Sequence, residues 1–213
     1  MAGRKRNPEP ALRERKKRAL RNELSLAALR LAKDRGLENV RTEDIVAAVG
    51  VSRRTFNNYF ANKHEAIADR MVERAQRSAQ ALRARPKSEA LWEALTAAML
   101  APYEDFVLSD PTAEGRASTL FLFEDPALRA ELWKGDFAAQ QALAQAIAER
   151  TGLDAARDLH PTLVAATVVA AVTTVLERWL RAKRPPPLVP MIREALELIA
   201  QGLPVPAKRR RSR

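Results

Sequence analysis

Between Gly50 and Lys63 the chain reads GVSRRTFNNYFANK, and these residue types at this spacing suit hydrogen bonding to nucleic acid. Arginine can offer paired N–H donors to a guanine edge, and asparagine a donor and an acceptor to adenine. Arg53, Arg54, Asn57 and Asn58 are therefore candidate readers of base edges. Ser52, Thr55 and Tyr59 add hydroxyls, Lys63 adds a cation, and Thr42 places a hydroxyl at the start of an earlier helix. Such groups, together with helix N-termini, hold phosphates. Thr55 is as well suited to packing or bonding within its own helix. Phe56 and Phe60, four residues apart, belong to a buried face. The plainer reading of the stretch is a solvated polar face with a few core residues in it.

Other chemistries find little support. The chain has two histidines, no cysteine and no phosphate-cradling glycine loop. Disulfides and cysteine-ligated zinc are excluded, and a reducing cytoplasm is the default compartment. His64 reads as an ordinary first-turn residue and His160 as a cap beside a proline. The carboxylates are scattered and usually near arginine. No catalytic residues, metal or cofactor are expected. The N-terminal stretch MAGRKRNPEP lacks the apolar core of a secretory signal. The longest uncharged run, 159–176, carries a proline, a histidine and four threonines, and reads as a buried helix rather than a membrane span.

The formal charge of +11 is unevenly placed. Residues 1–21 carry a net +7 and residues 207–213 a net +5, leaving the remainder near −1. Blocks of like charge at chain ends attract polyanions.

Helical periodicity recurs along the chain and alternating strand patterns are almost absent. Leu20, Leu24, Ala27, Ala28 and Leu31 line one face of a first helix that Gly36 can end. Thr42 is a natural N-cap for a short second helix, with Glu43 and Asp44 at its positive end and Ile45, Val46 and Val49 inward. Gly50 ends that helix, Val51 fills the turn, and Ser52 caps a third running from Arg53 to about Phe60. A fourth spans about Lys63 to Arg83. Beyond Pro86 arginine thins out while alanine and leucine dominate. Ser88 can cap a helix reaching about Leu100, with Pro102 kinking it or starting a second piece, and 110–115 is a loop or helix start. Asp125-Pro126 signals a helix continuing to Thr151. Two more follow, about 154–183 and 189–201. The fold class is all-α. A three-helix helix-turn-helix unit is followed by a larger helical bundle.

The segment from about Ala19 to Ala68 resembles the DNA-binding domain of the TetR family of transcriptional repressors. Gly36, Thr42, Ile45, Gly50-Val51-Ser52, Thr55-Phe56, Tyr59-Phe60 and Lys63 carry the match. The resemblance implies that Arg53–Phe60 reads the major groove while Thr42, Tyr59 and Lys63 hold the DNA backbone. Arg54 stands where the family often has a small residue, and Asn57 where a phosphate-binding tyrosine is common.

The family also implies that the C-terminal helices bind an inducer and form the dimer. A homodimer would pair the last two long helices with those of a second chain and expect a near-palindromic duplex operator. Met71, Trp92, Met99, Tyr103, Phe106, Phe121, Phe123, Trp133 and Phe137 are candidate pocket residues, although each also suits plain core. The run FEDPALRAELWKGDFAAQQALAQAIAERTGLD and the later ERWL are similar to a TetR subgroup, common in actinobacteria, associated with acyl-CoA-like ligands. A small, largely apolar effector is the expectation.

The expected organisation is a basic flexible arm over 1–15, the DNA-binding domain over 16–63, a ligand-binding and dimerisation domain over 64–203, and a basic disordered tail over 204–213. The expected function is a cytoplasmic, ligand-responsive repressor that does not bind membranes. The competing class is a nucleoid-type protein binding DNA without sequence preference through its basic tails.

Overall fold

The computed structural model describes residues 8–106 and 112–205, and all of its regular structure is helical, with no strand among the described residues. Helix α1 spans Pro8–Arg35, α2 Thr42–Val49, α3 Arg53–Asn57, α4 Lys63–Ala84 and α5 Leu91–Leu100. They are followed by α6 Ala113–Phe123, α7 Pro126–Thr151, α8 Leu159–Arg181 and α9 Leu188–Ala200. Short 3-10 turns occupy Leu37–Asn39 and Ala101–Phe106. The chain divides into an N-terminal unit, 1–73 with 121–135, and a C-terminal unit, 74–120 with 136–213.

The N-terminal unit is organised around Leu24, Ala28, Ile45, Phe56, Phe60 and Ile67, all buried. The two phenylalanine rings lie 5.6 Å apart and tilted by 49°. Such a pair contributes about 0.5–1.5 kcal/mol beyond simple burial. Here α7 approaches α4 closely. A Cβ built on Gly135 would stand 2.2 Å from Val72 Cγ2, so only glycine fits.

In the C-terminal unit α8 turns Ala165, Val168, Val172 and Trp179 inward, and α9 supplies Leu188, Ile192 and Leu196. Met99 of α5 and Leu143 and Ile147 of α7 complete this core. The Trp179 indole N–H donates to the Pro186 carbonyl at 3.1 Å, pinning the proline run to the helix before it. Among the described residues α8 is the one helix long and apolar enough to cross a membrane. Its length and composition are also those of a core helix, and one side of it is packed within this unit.

Several expectations shift by a residue or more. Residues 8–15, expected as a flexible arm, are helical, while 1–7 lie outside the described residues. Pro8 begins the helix where its missing N–H costs nothing, and Ala, Leu, Glu, Arg and Lys then continue it. The N-cap of α2 is Arg41, not Thr42; Asp44 Oδ2 accepts the Arg41 N–H at 2.8 Å and supplies the cap from inside the helix. Ser88 does not cap α5, which begins after Ala90. Arg150 instead draws in the carbonyls of Arg85, Pro86 and Glu89 and holds that segment as a loop. Helix α8 starts later than 154, because Asp154 and Asp158 close a turn in which each carboxylate accepts a backbone N–H. Asp125 does cap α7, accepting the Leu128 N–H at 2.7 Å.

Candidate nucleic-acid interface

The turn between α2 and α3 is built by Gly50. Its backbone is left-handed, φ 76° and ψ 33°, and its N–H and that of Val51 both donate to the Val46 carbonyl, at 2.9 and 3.0 Å. A side chain would strain this conformation. Ser52 Oγ then accepts the Thr55 N–H at 3.1 Å, starting α3 as its N-cap. The helix stops at Asn57, short of Phe60. The Asn58 N–H is shared between the carbonyls of Arg54 and Thr55, and Tyr59 N–H bonds Phe56, so the chain tightens into a turn.

This local geometry sorts the side chains. Phe56 and Phe60 are 1% exposed and anchor the element. Ser52, Arg53, Arg54, Asn57 and Asn58 are exposed and come from one turn and one short helix. Thr55 is half-buried, with its hydroxyl 2.9 Å from that of Ser52, so it is engaged within the cap. Arg53 is held by Glu43 of α2 at 2.7 Å. Both partners are well exposed, so the pair orients the guanidinium without committing it. Thr42 is half-buried in the first turn of α2.

Lys63 is placed differently from its fellow candidates. Its ammonium donates to the Leu37 and Val40 carbonyls at 2.7 and 2.8 Å, bracing the start of α4 against the segment before α2. Two of its three protons are thereby used inside the protein. Tyr59 is half-buried against the core, and its carbonyl accepts from Arg21 of α1 at 3.1 Å.

Arg21 is a residue that sequence reasoning missed. It also donates twice to Asp69 Oδ1, at 3.0 and 2.6 Å, and stacks 4.5 Å over the Phe60 ring. One guanidinium thus ties α1 to the end of the α3 turn and to α4. Burial pushes the Asp69 carboxyl up, against the opposing hold of Arg21. No local signal marks this pair, whose members are 48 residues apart in sequence. The Glu43–Arg53 pair was missed for a similar reason.

The seven pocket candidates whose side chains are described are divided between the two units. Phe121, Trp133 and Phe137 are 62%, 79% and 62% exposed, so the single chain does not enclose them. They sit on the outer faces of α6 and α7, whose inner faces are filled by Leu122, Leu128, Ala139 and Leu143. Phe123 is half-buried against the N-terminal core. In the C-terminal unit Met99 and Tyr103 are buried, Trp92 is half-buried, and the Arg74 guanidinium lies 5.2 Å over the Tyr103 ring. Burial pushes the Tyr103 hydroxyl up to about 12. The side chains of Met71 and Phe106 lie outside the described residues. An open crevice of about 370 Å³ in the N-terminal unit is lined by Leu37, Glu38, Lys63, His64, Phe121, Glu124 and Asp125. Phe121 is the sole pocket candidate on it, and its ionisable walls do not suit an apolar ligand. No cluster that could hold a metal ion occurs among the described residues.

Comparison with known proteins bears on both units. A family described as "Bacterial regulatory proteins, tetR family" matches residues 26–69. A second, described as "MftR C-terminal domain", matches residues 89–204, more than half of the chain. The HTH-type transcriptional regulator TcmR of Streptomyces glaucescens is 32% identical over 174 residues, covering 80% of this chain and 77% of that protein. The solved structure of the fatty acid degradation regulator FadR from Bacillus halodurans matches with a TM-score of 0.56 at 17% identity, covering 86% of this chain and 96% of that one. FadR of Thermus thermophilus, solved in complex with lauroyl-CoA, has a TM-score of 0.49 at 22% identity, covering 88% and 96%. The Bacillus protein shares the fold.

Proposed function

The chain belongs to the TetR family of transcriptional regulators, and on that premise we propose that it is a ligand-responsive repressor acting as a homodimer on a near-palindromic operator. Regulators of this family are DNA-binding proteins rather than enzymes, and they work in the cytoplasm. The observation that carries the reading is the sorting of side chains around α3. Phe56 and Phe60 are buried while Arg53, Arg54, Asn57 and Asn58 face outward from the same few residues. In this proposal α3 enters the major groove and those four side chains meet base edges. Ser52, Thr55, Tyr59, Thr42 and the remaining Lys63 proton serve the phosphates or the cap that positions them.

Dimerisation through α8 and α9 is supported by what these helices leave uncovered. Leu159, Leu163 and Leu198 are exposed although the same helices already bury a full apolar face. Pairing with a second copy would cover them and set two α3 helices roughly 34 Å, about one DNA turn, apart. The effector is proposed to be small and largely apolar and to enter the C-terminal unit beside Met99 and Tyr103. Its binding would favour a dimer whose α3 spacing misfits the operator.

Selection of duplexes from a random-sequence library tests the central claim. The wild-type protein should enrich one sequence with dyad symmetry, and Arg53→Ala/Arg54→Ala should abolish the preference while retaining weak, salt-governed binding. Specific binding that survives the double substitution unchanged would overturn the assignment of α3. Failure of the wild type to enrich any sequence would favour the nucleoid-type alternative. Thermal shift against acyl-CoAs and uncharged apolar compounds addresses the effector.

A further inference from the structure

Helix α1 is longer than the core it serves. It spans 28 residues, yet residues 12–19 are exposed, and burial begins at Leu20 and Leu24. That projecting length carries Arg13, Arg15, Lys16, Lys17 and Arg18 against a single acid, Glu14. Among the described residues none of the five cations is held in a hydrogen bond or ion pair, and all are exposed.

Their placement around the helix is not even. At about 100° per residue, Arg13, Lys16 and Lys17 fall within one 100° arc. Leu20, Leu24, Ala28 and Leu31 lie in or beside the same arc. The cationic stripe is therefore the direct continuation of the face that packs on the N-terminal core. At the changeover stands Arg21, bonded to the Tyr59 carbonyl at the end of the α3 turn. The stripe thus leaves the protein beside the proposed DNA-reading element, on the face that points toward it. Arg15 and Arg18 lie on the other side of the helix.

Helix stability does not account for these cations. They lie beyond the first turn of α1, so the helix dipole neither favours nor opposes them, and Arg13 and Lys17 repel one another at i, i+4. A polyanion would relieve that penalty, and three cations within about 6 Å of helix axis lie close enough together to meet neighbouring phosphates of a duplex.

We propose that the projecting part of α1 is a second DNA-contact element, in which Arg13, Lys16 and Lys17 bind backbone phosphates of the duplex flanking each half-site. The exposed stretch 12–19 is about 12 Å of helix, the length of roughly three to four base pairs. The contact is independent of base sequence. It rests on the reading of α3 as the operator-binding helix only for where along the DNA it falls.

The test compares three proteins, wild type, Arg13→Gln/Lys16→Gln/Lys17→Gln and Arg15→Gln/Arg18→Gln, on two duplexes. One is the operator enriched by selection and the other a shuffled duplex of the same length. Each phosphate neutralised contributes about 0.9 to the slope of log K against log salt concentration. The triple variant should therefore lose about 2.7 from that slope per bound protomer, on both duplexes. Between 50 and 200 mM salt its binding should fall about 40-fold less per protomer than that of the wild type. The double variant should stay within about one unit of wild type. Hydroxyl-radical protection on the operator should shrink at its outer flanks in the triple variant alone. Equal slope losses in the two variants would show diffuse charge rather than a built stripe, and an unchanged slope in the triple variant would show no contact; either overturns the proposal. If selection enriches no operator, the reading of α3 fails, while the shuffled duplex still decides the role of the stripe.

Discussion

Replacing Arg21 with alanine should destabilise the N-terminal unit far more than loss of a surface arginine would. The guanidinium makes two bonds to Asp69, one to the Tyr59 carbonyl, and a stacking contact with Phe60. Removing one member of a buried ion pair costs about 3–5 kcal/mol, because the remaining charge stays desolvated. Asp69 is 8% exposed but Arg21 is 39% exposed, so water screens part of the interaction and re-enters part of the vacated space. About 3 kcal/mol is the expected loss, equivalent to a melting temperature roughly 6–12 °C lower for a chain of this size. Arg21→Lys keeps the charge but not the forked geometry and should lose about 1–2 kcal/mol. Thermal and urea unfolding followed by far-ultraviolet circular dichroism measure both.

The pH dependence of the Arg21→Ala loss identifies its source. Burial already raises the Asp69 carboxyl above its ordinary value, and Arg21 opposes that rise. Without Arg21 the folded-state value climbs further above the unfolded one. The penalty for the ionised carboxylate is then full above the folded value and relieved as pH falls through it. The gap between Arg21→Ala and wild type should therefore narrow between pH 7 and pH 5, and Asp69→Asn in the Arg21→Ala background should recover stability. A loss below about 0.5 kcal/mol, which is surface-like behaviour, or a gap that widens on acidification would mean that Arg21 does not brace a buried Asp69 carboxylate.

Three further outcomes follow from single contacts. Gly135→Ala should cost about 1–3 kcal/mol by overpacking against Val72, and Val72→Ala in the same chain should return part of it, as measured by a double-mutant cycle in urea. Lys63→Met strands the Leu37 and Val40 carbonyls and should cost about 1–3 kcal/mol, with operator affinity falling in the same variant. The His64 imidazole is pushed below its ordinary value first by burial and then by Lys63, while Asp125 and Glu131 oppose the shift. Its stabilising contribution is present above about pH 6.5 and lost as pH falls through that value, so His64→Gln should flatten the stability profile between pH 7 and pH 5.5.

What was legible in the sequence was local. Gly50, Ser52, Phe56 and Phe60 act through bonds and spacings within a few residues, so the turn and its buried face could be read directly, as could the Asp125-Pro126 helix start. Thr42 misled by one position because a cap can be supplied from inside the helix, here by Asp44. The exposure of the aromatic candidates was illegible for a different reason. An aromatic residue on an alanine-rich helix reads as core from its chemistry alone, and only packing decides that Trp133 lies outside while Leu132 meets the core. Arg21 and Lys63 were illegible as braces, because their partners lie 48, 38, 26 and 23 residues away.

The two roles of α1 meet at Arg21. C-terminal to it, the buried side is leucine and alanine with Ser25, whose hydroxyl is buried without a hydrogen-bond partner among the described residues, and a charge placed there would be desolvated unpaired. N-terminal to it, the same face has left the core and is solvated, so cations cost only a few tenths of a kcal/mol through their mutual repulsion. Those costs are smallest in the absence of DNA, where salt screens them, and they turn into gains when phosphates replace the screening ions. A continuous helix carries no hinge at the changeover, so the stripe holds a fixed direction relative to the Tyr59 carbonyl instead of sampling space as a loose arm would. That difference in ordering is why a helical extension can place charge on a duplex with less conformational entropy to lose than a flexible tail of the same composition.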